Sequence, residues 1–240
     1  MREFIFTIEY DPGIDPITDI FIDYPATMAK SLACCVTARS MWRVDRITGP
    51  TDALSSLETI YLDSKHCNEC LGSRNCHTPS EYAELDSDTN QRTIYTYQPE
   101  IEGCHSVPYR AAQQLGDGLL FQTTRNESQY EWRILMRDKT AVGELYDTIQ
   151  QELRDGVRIE LDQLGTPAHW CEEAVTIADL PYAQREALIA AVEQGYYETP
   201  RETSVEDIAD SVGVPRSTLQ YRLQRAESWL ATRFMSESYS

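Results

Sequence analysis

Residues 203–230 read TSVEDIADSVGVPRSTLQYRLQRAESWL, and this stretch decides how the C-terminal part of the chain folds. Thr203 or Ser204 can cap a first helix, and two acids follow in its first turn, where the helix dipole favours them. Gly213 ends that helix with the left-handed residue that a tight turn needs. Pro215 suits the first position of a second helix. Two helices joined at a glycine corner are typical of a helix-turn-helix, whose second helix contacts DNA.

The second helix of this stretch has an apolar side and a basic side. Leu219, Leu223 and Leu230 recur at helical spacing and mark the buried side. The other side carries arginines and polar groups, and no acid occurs between Pro215 and Ala226. Arginine and glutamine can contact base edges, while hydroxyl groups near a helix start suit phosphates. The residues that we predict to contact DNA are Arg216, Ser217, Thr218, Gln220, Tyr221, Arg222 and Arg225.

Further motifs lie upstream of this stretch. Residues 180–188 read LPYAQREAL, and Gly195-Tyr196-Tyr197 and Pro200-Arg201 follow. From residue 180 to about residue 230, the chain closely resembles the DNA-binding domain of haloarchaeal bacterio-opsin-activator (Bat)-type transcription regulators, and its N-terminal part is similar to their cysteine-bearing members. The resemblance implies a DNA-binding transcription regulator of an extreme halophile. It also implies a response to oxygen, light or redox state.

Other interpretations of the C-terminal helices remain open. An ordinary helical hairpin with a solvated arginine face has the same spacing. A protein-interaction module that docks on the transcription machinery is a second alternative, and a metal-dependent redox enzyme with a regulatory tail is a third. We expect no enzyme, since the sequence has no Gly-rich phosphate loop and no Ser-His-Asp pattern at a strand end. For a regulator, we expect double-stranded DNA as a partner and a homodimer on two half-sites.

Composition indicates a protein adapted to high salt. The 240-residue chain has a net charge of −18, and its lysines are confined to Lys30, Lys65 and Lys139. At molar salt, repulsion between surface carboxylates is screened within about 3 Å. Residues 176–240 carry ten acids and six arginines, so DNA binding has to rest on a local basic patch. With no signal peptide and no apolar run near the roughly 20 residues that cross a bilayer, we expect a cytoplasmic protein.

The N-terminal part is predicted to be α+β. Residues 92–164 show a strand, a helix, a hairpin, a second helix and a closing strand, which is the βαββαβ order of a ferredoxin-like unit. A strand at residues 2–10, a hairpin over residues 31–47 and a helix at residues 51–62 indicate an earlier unit of the same kind.

An internal similarity supports this repeat. Residues 41–44 read MWRV before one helix, and residues 131–134 read EWRI before another. We therefore predict an α+β protein with a tandem ferredoxin-like (βαββαβ) region and a C-terminal all-α helix-turn-helix domain. The predicted parts are a sensing or dimerisation domain at residues 1–165, a linker at 166–175 and the DNA-binding domain at 176–240.

A cysteine cluster is the second concentrated signal. Residues 66–77 read HCNECLGSRNCH, in which Cys67 and Cys70 have the two-residue spacing of a metal knuckle. Cys76 supplies a third thiolate, and Cys104 is the best remote candidate for a fourth. The predicted metal ligands are Cys67, Cys70, Cys76 and Cys104, with His77 and His105 as alternatives.

The chemistry of this cluster has several interpretations. A reducing cytosol argues against structural disulfides. Structural zinc is the leading hypothesis, followed by an iron–sulfur cluster, because four thiolates also suit iron, and by a thiol switch without metal. Outside the cluster, we expect Cys34 and Cys35 to lie in the core and Cys171 to be inert. Within it, we expect Glu69 to be solvated.

Overall fold

The computed structural model describes residues 1–63, 67–72, 76, 78–137, 141–167 and 180–238, with side chains up to residue 232. The chain divides into two compact units, Met1–Ala168 and His169–Ser240. Most of the predicted linker at residues 166–175, with Cys171, lies outside the described residues.

The first unit contains two βαββαβ runs in succession, which confirms the tandem ferredoxin-like prediction. Two elements were absent from the prediction: α1, a short helix capped by Asp15, and β4, a strand without apolar alternation. Both belong to the first run, where the sequence signal is weaker. In chain order, the elements are β1 (Arg2–Tyr10), α1 (Pro16–Asp23), β2 (Met28–Val36), β3 (Met41–Thr48), α2 (Thr51–Tyr61), β4 (Glu81–Asp88), β5 (Gln91–Gln98), α3 (Val107–Leu115), β6 (Leu120–Asn126), β7 (Gln129–Met136), α4 (Val142–Glu152) and β8 (Val157–Gly165).

The eight strands form one antiparallel sheet in the order β4-β5-β3-β2-β6-β7-β1-β8. A ferredoxin-like unit places its first strand between its third and fourth. Here β1 lies between β7 and β8, while β5 lies between β3 and β4. Each repeat therefore contributes its first strand to the half-sheet of the other, and the two halves also join through β2 and β6. Neither half can complete its sheet alone.

The helices of the first unit pack on one face of the sheet and enclose two apolar cores. Strand alternation decides which residues enter them, since successive side chains point to opposite faces. In β1, for example, Phe4, Phe6 and Ile8 are buried. The core beneath α3 and α4 contains Phe4, Phe6, Ile8, Phe121, Trp132, Ile134, Leu145 and Ile149. The core beneath α1 and α2 contains Ile17, Phe21, Ile47, Leu54, Leu57 and Ile94.

The expectation that Cys34 and Cys35 both lie in the core is wrong for Cys35, and the similar MWRV and EWRI segments place their tryptophans differently. Trp132 is buried at 1% exposure, whereas Trp42 is 39% exposed. A one-residue shift along a strand moves a side chain to the opposite face, so the MWRV and EWRI similarity is out of register even though the repeat is real. In β2, Cys34 is buried but Cys35 is exposed, again because neighbours alternate.

The second unit is helical, with α5 (Tyr182–Glu193), α6 (Val205–Ser211) and α7 (Arg216–Ser238). Its apolar core is made of small and branched side chains from all three helices, and this confirms the predicted α+β class with a helical C-terminal part. Across both units, the described residues include no helix long and apolar enough to span a bilayer. The core residues are Ala187, Ala190, Ala191, Ile208, Ala209, Leu219 and Leu223.

Candidate nucleic-acid interface and metal centre

The first helix of the helix-turn-helix begins with a complete capping box. The Ser204 hydroxyl accepts a hydrogen bond from the backbone N–H of Asp207 at 3.2 Å, and the Asp207 carboxylate accepts one from the Ser204 N–H at 3.2 Å. Two of the four free N–H groups at the helix start are thereby satisfied. A Ser or Thr cap of this kind contributes about 1 kcal/mol.

The corner between α6 and α7 is built as the sequence predicts. Gly213 has φ +69°, a left-handed conformation that L side chains rarely adopt. The Val214 N–H donates to the Ala209 carbonyl at 3.0 Å and closes the turn. Ala209 and Leu219 are buried at 1% and 0% exposure. A small residue before the corner therefore lets the two helices pack closely.

The exposed side of α7 carries the predicted DNA-contacting set. Tyr221 is 60% exposed, while Thr218 and Arg222 are half-buried. Among the described side chains, none forms an ion pair with Arg216, Arg222 or Arg225. The basic groups of this face are thus available to an external anion. The remaining exposed members are Arg216, Ser217, Gln220 and Arg225.

The aromatic motif before α6 holds the other helices against α7. The Tyr197 hydroxyl donates to the Glu227 carboxylate in α7 at 2.7 Å. Gly195 has φ +74°, and a Cβ atom there would lie 2.6 Å from the Glu202 carboxylate. The Arg201 guanidinium lies 4.4 Å from the Tyr196 ring centroid, within the range of a cation–π contact. This segment therefore fixes the position of α7.

The structure brings the four predicted cysteines together in the first unit. The sulfur atoms of Cys67, Cys76 and Cys104 all lie within 4.8 Å of one another, and the Cys67 and Cys104 sulfurs are 3.8 Å apart. Cys70 packs in the same cluster, with its sulfur 4.0 Å from His105 Nδ1. His77 lies outside the described residues.

This spacing fits a single tetrahedral metal ion. With zinc–sulfur bonds of about 2.3 Å, tetrahedral geometry puts neighbouring sulfurs about 3.8 Å apart. The Cys67–Cys104 distance has this value. Three of the four cysteines, Cys67, Cys76 and Cys104, therefore form a possible metal-binding cluster.

Hydrogen bonds within the cluster shift the pKa values of two of its thiols in opposite directions. Bonds from Cys104, Cys67 and Cys70 hold the pKa of Cys76 far below its usual range. The corresponding bonds with Cys67, Cys70 and Cys76 raise the pKa of Cys104. A bound cation would take the place of the thiol protons.

Polar side chains around the cluster support two of the sulfurs. Gln98, at the end of β5, is fully buried, and its amide donates to the Cys67 sulfur at 3.5 Å and to the Ser80 hydroxyl at 3.1 Å. The Thr78 hydroxyl lies 3.1 Å from the Cys76 sulfur. Such partners orient metal ligands and tune them. Neither residue was predicted: Gln98 lies 31 residues from Cys67, and Thr78, although only two residues from Cys76, belongs to no recognised motif.

The knuckle loop is tied to the second repeat of the sheet. The Leu71 N–H donates to the His105 carbonyl at 3.3 Å, and the Arg154 guanidinium donates to the Cys70 carbonyl at 3.2 Å. A Cβ atom on Gly72 would lie 2.9 Å from both the Glu152 carbonyl oxygen and the His105 ring. Glycine is thus required where the loop meets the end of α4.

The expectation that Glu69 is solvated is wrong. Glu69 is buried and accepts a hydrogen bond from Arg43 Nη1 at 2.9 Å. Arg43 also donates to the Asp45 carboxylate at 2.6 Å and to the Tyr130 hydroxyl at 2.8 Å. Burial raises the pKa of Glu69, and the nearby Arg43 only partly opposes this. The partner is 26 residues away in sequence, so no local pattern could have revealed it.

A second buried arginine stands on the other side of Tyr130. Arg125 donates to the Asp15 carboxylate at 2.8 Å, and its guanidinium lies 5.1 Å from the Tyr130 ring centroid. Arg154 reaches Asp15 at 3.2 Å. Burial would by itself raise the pKa of Asp15, but Arg125 and the hydrogen bonds from Thr18 hold it below its usual value. Buried ion pairs of this kind are little affected by salt.

Comparison with known families agrees with this geometry. Residues 3–170 match the HVO_2928_N, N-terminal family, and residues 180–232 match HTH_10, an HTH DNA binding domain. The chain is 33% identical over 100 residues to a dimethyl sulfoxide reductase transcriptional activator of Haloferax volcanii, which is 40% of this chain and 46% of that protein. It is also 46% identical over 55 residues to a dimethyl sulfoxide reductase transcriptional activator of Halobacterium salinarum. That aligned segment covers 23% of this chain and 25% of that protein.

The chain thus spans less than half the length of each of these relatives. Both family matches nevertheless extend over whole units, and the first covers more than half of the chain. The second family match is to a DNA-binding domain, and both relatives are described as transcriptional activators. The chain belongs to the HVO_2928_N family, carries an HTH DNA binding domain at residues 180–232, and in that domain is similar to haloarchaeal transcriptional activators.

Proposed function

We propose that this protein is a transcriptional activator that binds double-stranded DNA through α7. The observation that carries the proposal is the exposed face of that helix, where three arginines lack acidic partners among the described side chains. Both relatives are described as transcriptional activators, which supports activation as the direction of regulation. Because the protein would work where it meets DNA, we also propose a cytoplasmic location.

Base contacts are expected to dominate this interaction. Phosphate contacts weaken steeply as salt rises, because each counterion released from the DNA gains less entropy when the bulk salt concentration is already high. Arg216, Arg222 and Gln220 lie within two turns of the start of α7, the part of a recognition helix that meets base edges. Arginine at guanine and glutamine at adenine each discriminate by about 1–3 kcal/mol.

Selection of bound duplexes tests this proposal. Purified full-length protein at molar potassium chloride would be mixed with random duplexes, and the enriched sequences would be footprinted. A protected site with a recurring sequence is expected. Failure to enrich any sequence, with binding instead to components of the transcription machinery, would favour the interaction-module alternative.

We propose a homodimer as the form that binds. One recognition helix reads only a few base pairs, and helix-turn-helix dimers place two helices about 34–36 Å apart on successive turns of DNA. Two half-sites with that spacing in the selected sequences would support this. Light scattering that gives a monomer mass both with and without DNA would contradict it.

We propose zinc as the ion held by Cys67, Cys70, Cys76 and Cys104. The sulfur spacing supports a single ion, and zinc prefers such four-thiolate sites in structural roles. His105 remains an alternative ligand, because its ring lies near Cys70. Bound zinc would offset the negative charge of four thiolates. It would also crosslink the loop after α2 to the segment before α3. Elemental analysis of protein purified under reducing conditions tests this, with about one zinc per chain expected.

We propose that residues 1–165 form a sensing and dimerisation domain that responds to redox state, oxygen or metal, that 166–175 form a linker and that 176–240 form the DNA-binding domain. The support is positional. The cysteine cluster includes Cys104, which lies in the segment after β5, where the chain leaves one half of the sheet for the other. A change at the cluster would act on the segment joining the two halves. DNA affinity measured with reduced, oxidised and metal-free protein tests this, and three equal affinities would reject it.

A further inference from the structure

The four cysteines of the cluster differ sharply in solvent access. Cys67, Cys70 and Cys104 are 8%, 6% and 0% exposed, whereas Cys76 is half-buried. A reagent that arrives from solvent therefore meets one sulfur before the other three. Exposure and thiolate character together decide which cysteines of a protein are oxidised.

An open cleft leads to that sulfur. It has a volume of about 960 Å³, and Cys76 and Thr78 form part of its wall together with His105 and Arg39. The Thr78 hydroxyl lies 3.1 Å from the Cys76 sulfur. A hydroxyl at this position can donate a hydrogen bond to an oxygen atom that approaches the sulfur or departs from it. The cleft is therefore wide enough for a small oxidant and has a donor beside the reacting atom.

We propose that Cys76 is the entry thiol through which a hydroperoxide oxidises the cluster, and that Cys67 or Cys104 then resolves it as a disulfide. This inference rests on the proposed redox function and names the residue and the oxidant class. In the first step, the Cys76 sulfur attacks one peroxide oxygen and the O–O bond breaks. Cys76 becomes a sulfenic acid, and the rest of the hydroperoxide leaves with the thiol proton as an alcohol, or as water when the oxidant is hydrogen peroxide.

In the second step, the thiol of Cys67 or Cys104 attacks the Cys76 sulfur. An S–S bond forms, the S–O bond breaks, and the hydroxyl of the sulfenic acid leaves as water with the thiol proton. Two thiols lose two electrons in total, and one hydroperoxide is reduced, to two waters in the case of hydrogen peroxide. The geometry suits this step because the three sulfurs lie within 4.8 Å, so closure to the roughly 2.05 Å of a disulfide needs a shift of at most about 3 Å.

The consequence is the loss of two metal ligands at once. A disulfide between Cys76 and either partner removes two of the four thiolates, and an ion left with two sulfurs is held weakly. The contacts of Glu69 and Gly72 with the rest of the unit do not involve sulfur. Oxidation is therefore expected to release the metal while Glu69 and Gly72 keep their contacts.

Residue-resolved oxidation tests the inference. Full-length reduced protein at molar salt would receive less than one equivalent of hydrogen peroxide, followed by alkylation of free thiols, digestion and mass spectrometry. Cys76 is expected to be modified at least tenfold faster than Cys67, Cys70 and Cys104, and the first disulfide should contain Cys76. Oxidation of the buried cysteines before Cys76, or a first disulfide without it, would overturn the proposal.

Control residues in the same chain distinguish reactivity that the cluster causes from reactivity that exposure alone causes. Cys35 is exposed but lies outside the cluster, so it should react at least tenfold more slowly than Cys76. Equal rates for the two would overturn the proposal. Cys76→Ser should slow the loss of the Cys67 and Cys104 thiols about tenfold, and Thr78→Ala, which keeps every cysteine, should slow Cys76 oxidation severalfold. Unchanged rates in both variants would count against it.

Metal content measured on the same samples distinguishes this inference from the proposed metal site. Protein without metal that still oxidises first at Cys76 would reject the zinc proposal and support the entry-thiol proposal. Protein with one zinc per chain and no preference for Cys76 would do the reverse.

Discussion

Glu69 and Arg43 form a buried ion pair at 2.9 Å that ties the cysteine knuckle to the middle of the sheet. Glu69 stands between Cys67 and Cys70 in sequence, while Arg43 lies on β3 and also contacts Tyr130 on β7. The pair therefore connects the loop after α2 with strands from both repeats. The Arg43 and Glu69 side chains are about 2% and 5% exposed, so salt does little to screen the ion pair.

Removing one partner of this pair should destabilise the first unit. Glu69→Gln leaves the Arg43 charge with Asp45 alone, and breaking a buried pair in this way costs about 3–5 kcal/mol. Thermal unfolding at molar salt is the measurement. The control is Glu100→Gln on the exposed cleft wall, which should unfold within about 0.5 kcal/mol of the parent. A Glu69→Gln protein as stable as the control would show that the pair contributes little.

Gly72→Ala should weaken the knuckle because the new Cβ atom meets the backbone carbonyl of Glu152 at 2.9 Å. A carbonyl cannot move away as a flexible side chain can, so we expect a loss of about 1–3 kcal/mol in stability and weaker metal binding. Gly143→Ala is the matched control, since a Cβ atom there has nothing within 4 Å and alanine in a helix gains about 0.5–1 kcal/mol. Equal stability of the two variants would contradict the tight fit.

Gln98→Leu should reduce metal affinity without removing a ligand. Its amide donates to the Cys67 sulfur, and loss of such an outer contact usually costs 10- to 100-fold in affinity. Competition with a coloured chelator measures the change. Gln122→Leu, on the opposite face of the sheet, is the control. If the two variants release metal equally readily, Gln98 has no part in holding the site.

Acid should destabilise the first unit through Asp15. The folded-state pKa of Asp15 is lowered, so its contribution is fully present above the unfolded value of about 3.9 and is lost as pH falls below it. Unfolding free energy measured between pH 6 and pH 3 should drop less steeply in Asp15→Asn than in the parent. Parallel pH profiles would mean that the pairing with Arg125 does not contribute to acid sensitivity.

Local patterns in the sequence were sufficient for most elements. Capping, glycine corners and apolar periods act within a few residues, and they predicted the helix-turn-helix and most strands of the second repeat. The exchange of β1 and β5 could not be predicted, because the apolar alternation of a strand shows which face is buried but does not identify the neighbouring strand. The partners of Glu69 and Cys67 were missed for a related reason: Arg43 and Gln98 come from distant strands, and only the sheet order brings them near.

The central claim is that the arginines of α7 read DNA, and Arg222→Ala tests it most directly. Binding of the selected duplex would be measured at molar salt for the parent, for Arg222→Ala and for Arg158→Ala, a control that removes an exposed arginine on β8, with circular dichroism to verify folding. We predict that Arg222→Ala abolishes site-specific binding without unfolding the protein, a loss of at least the roughly 1–3 kcal/mol of one base contact, while Arg158→Ala binds like the parent. Unchanged affinity of folded Arg222→Ala would contradict the account.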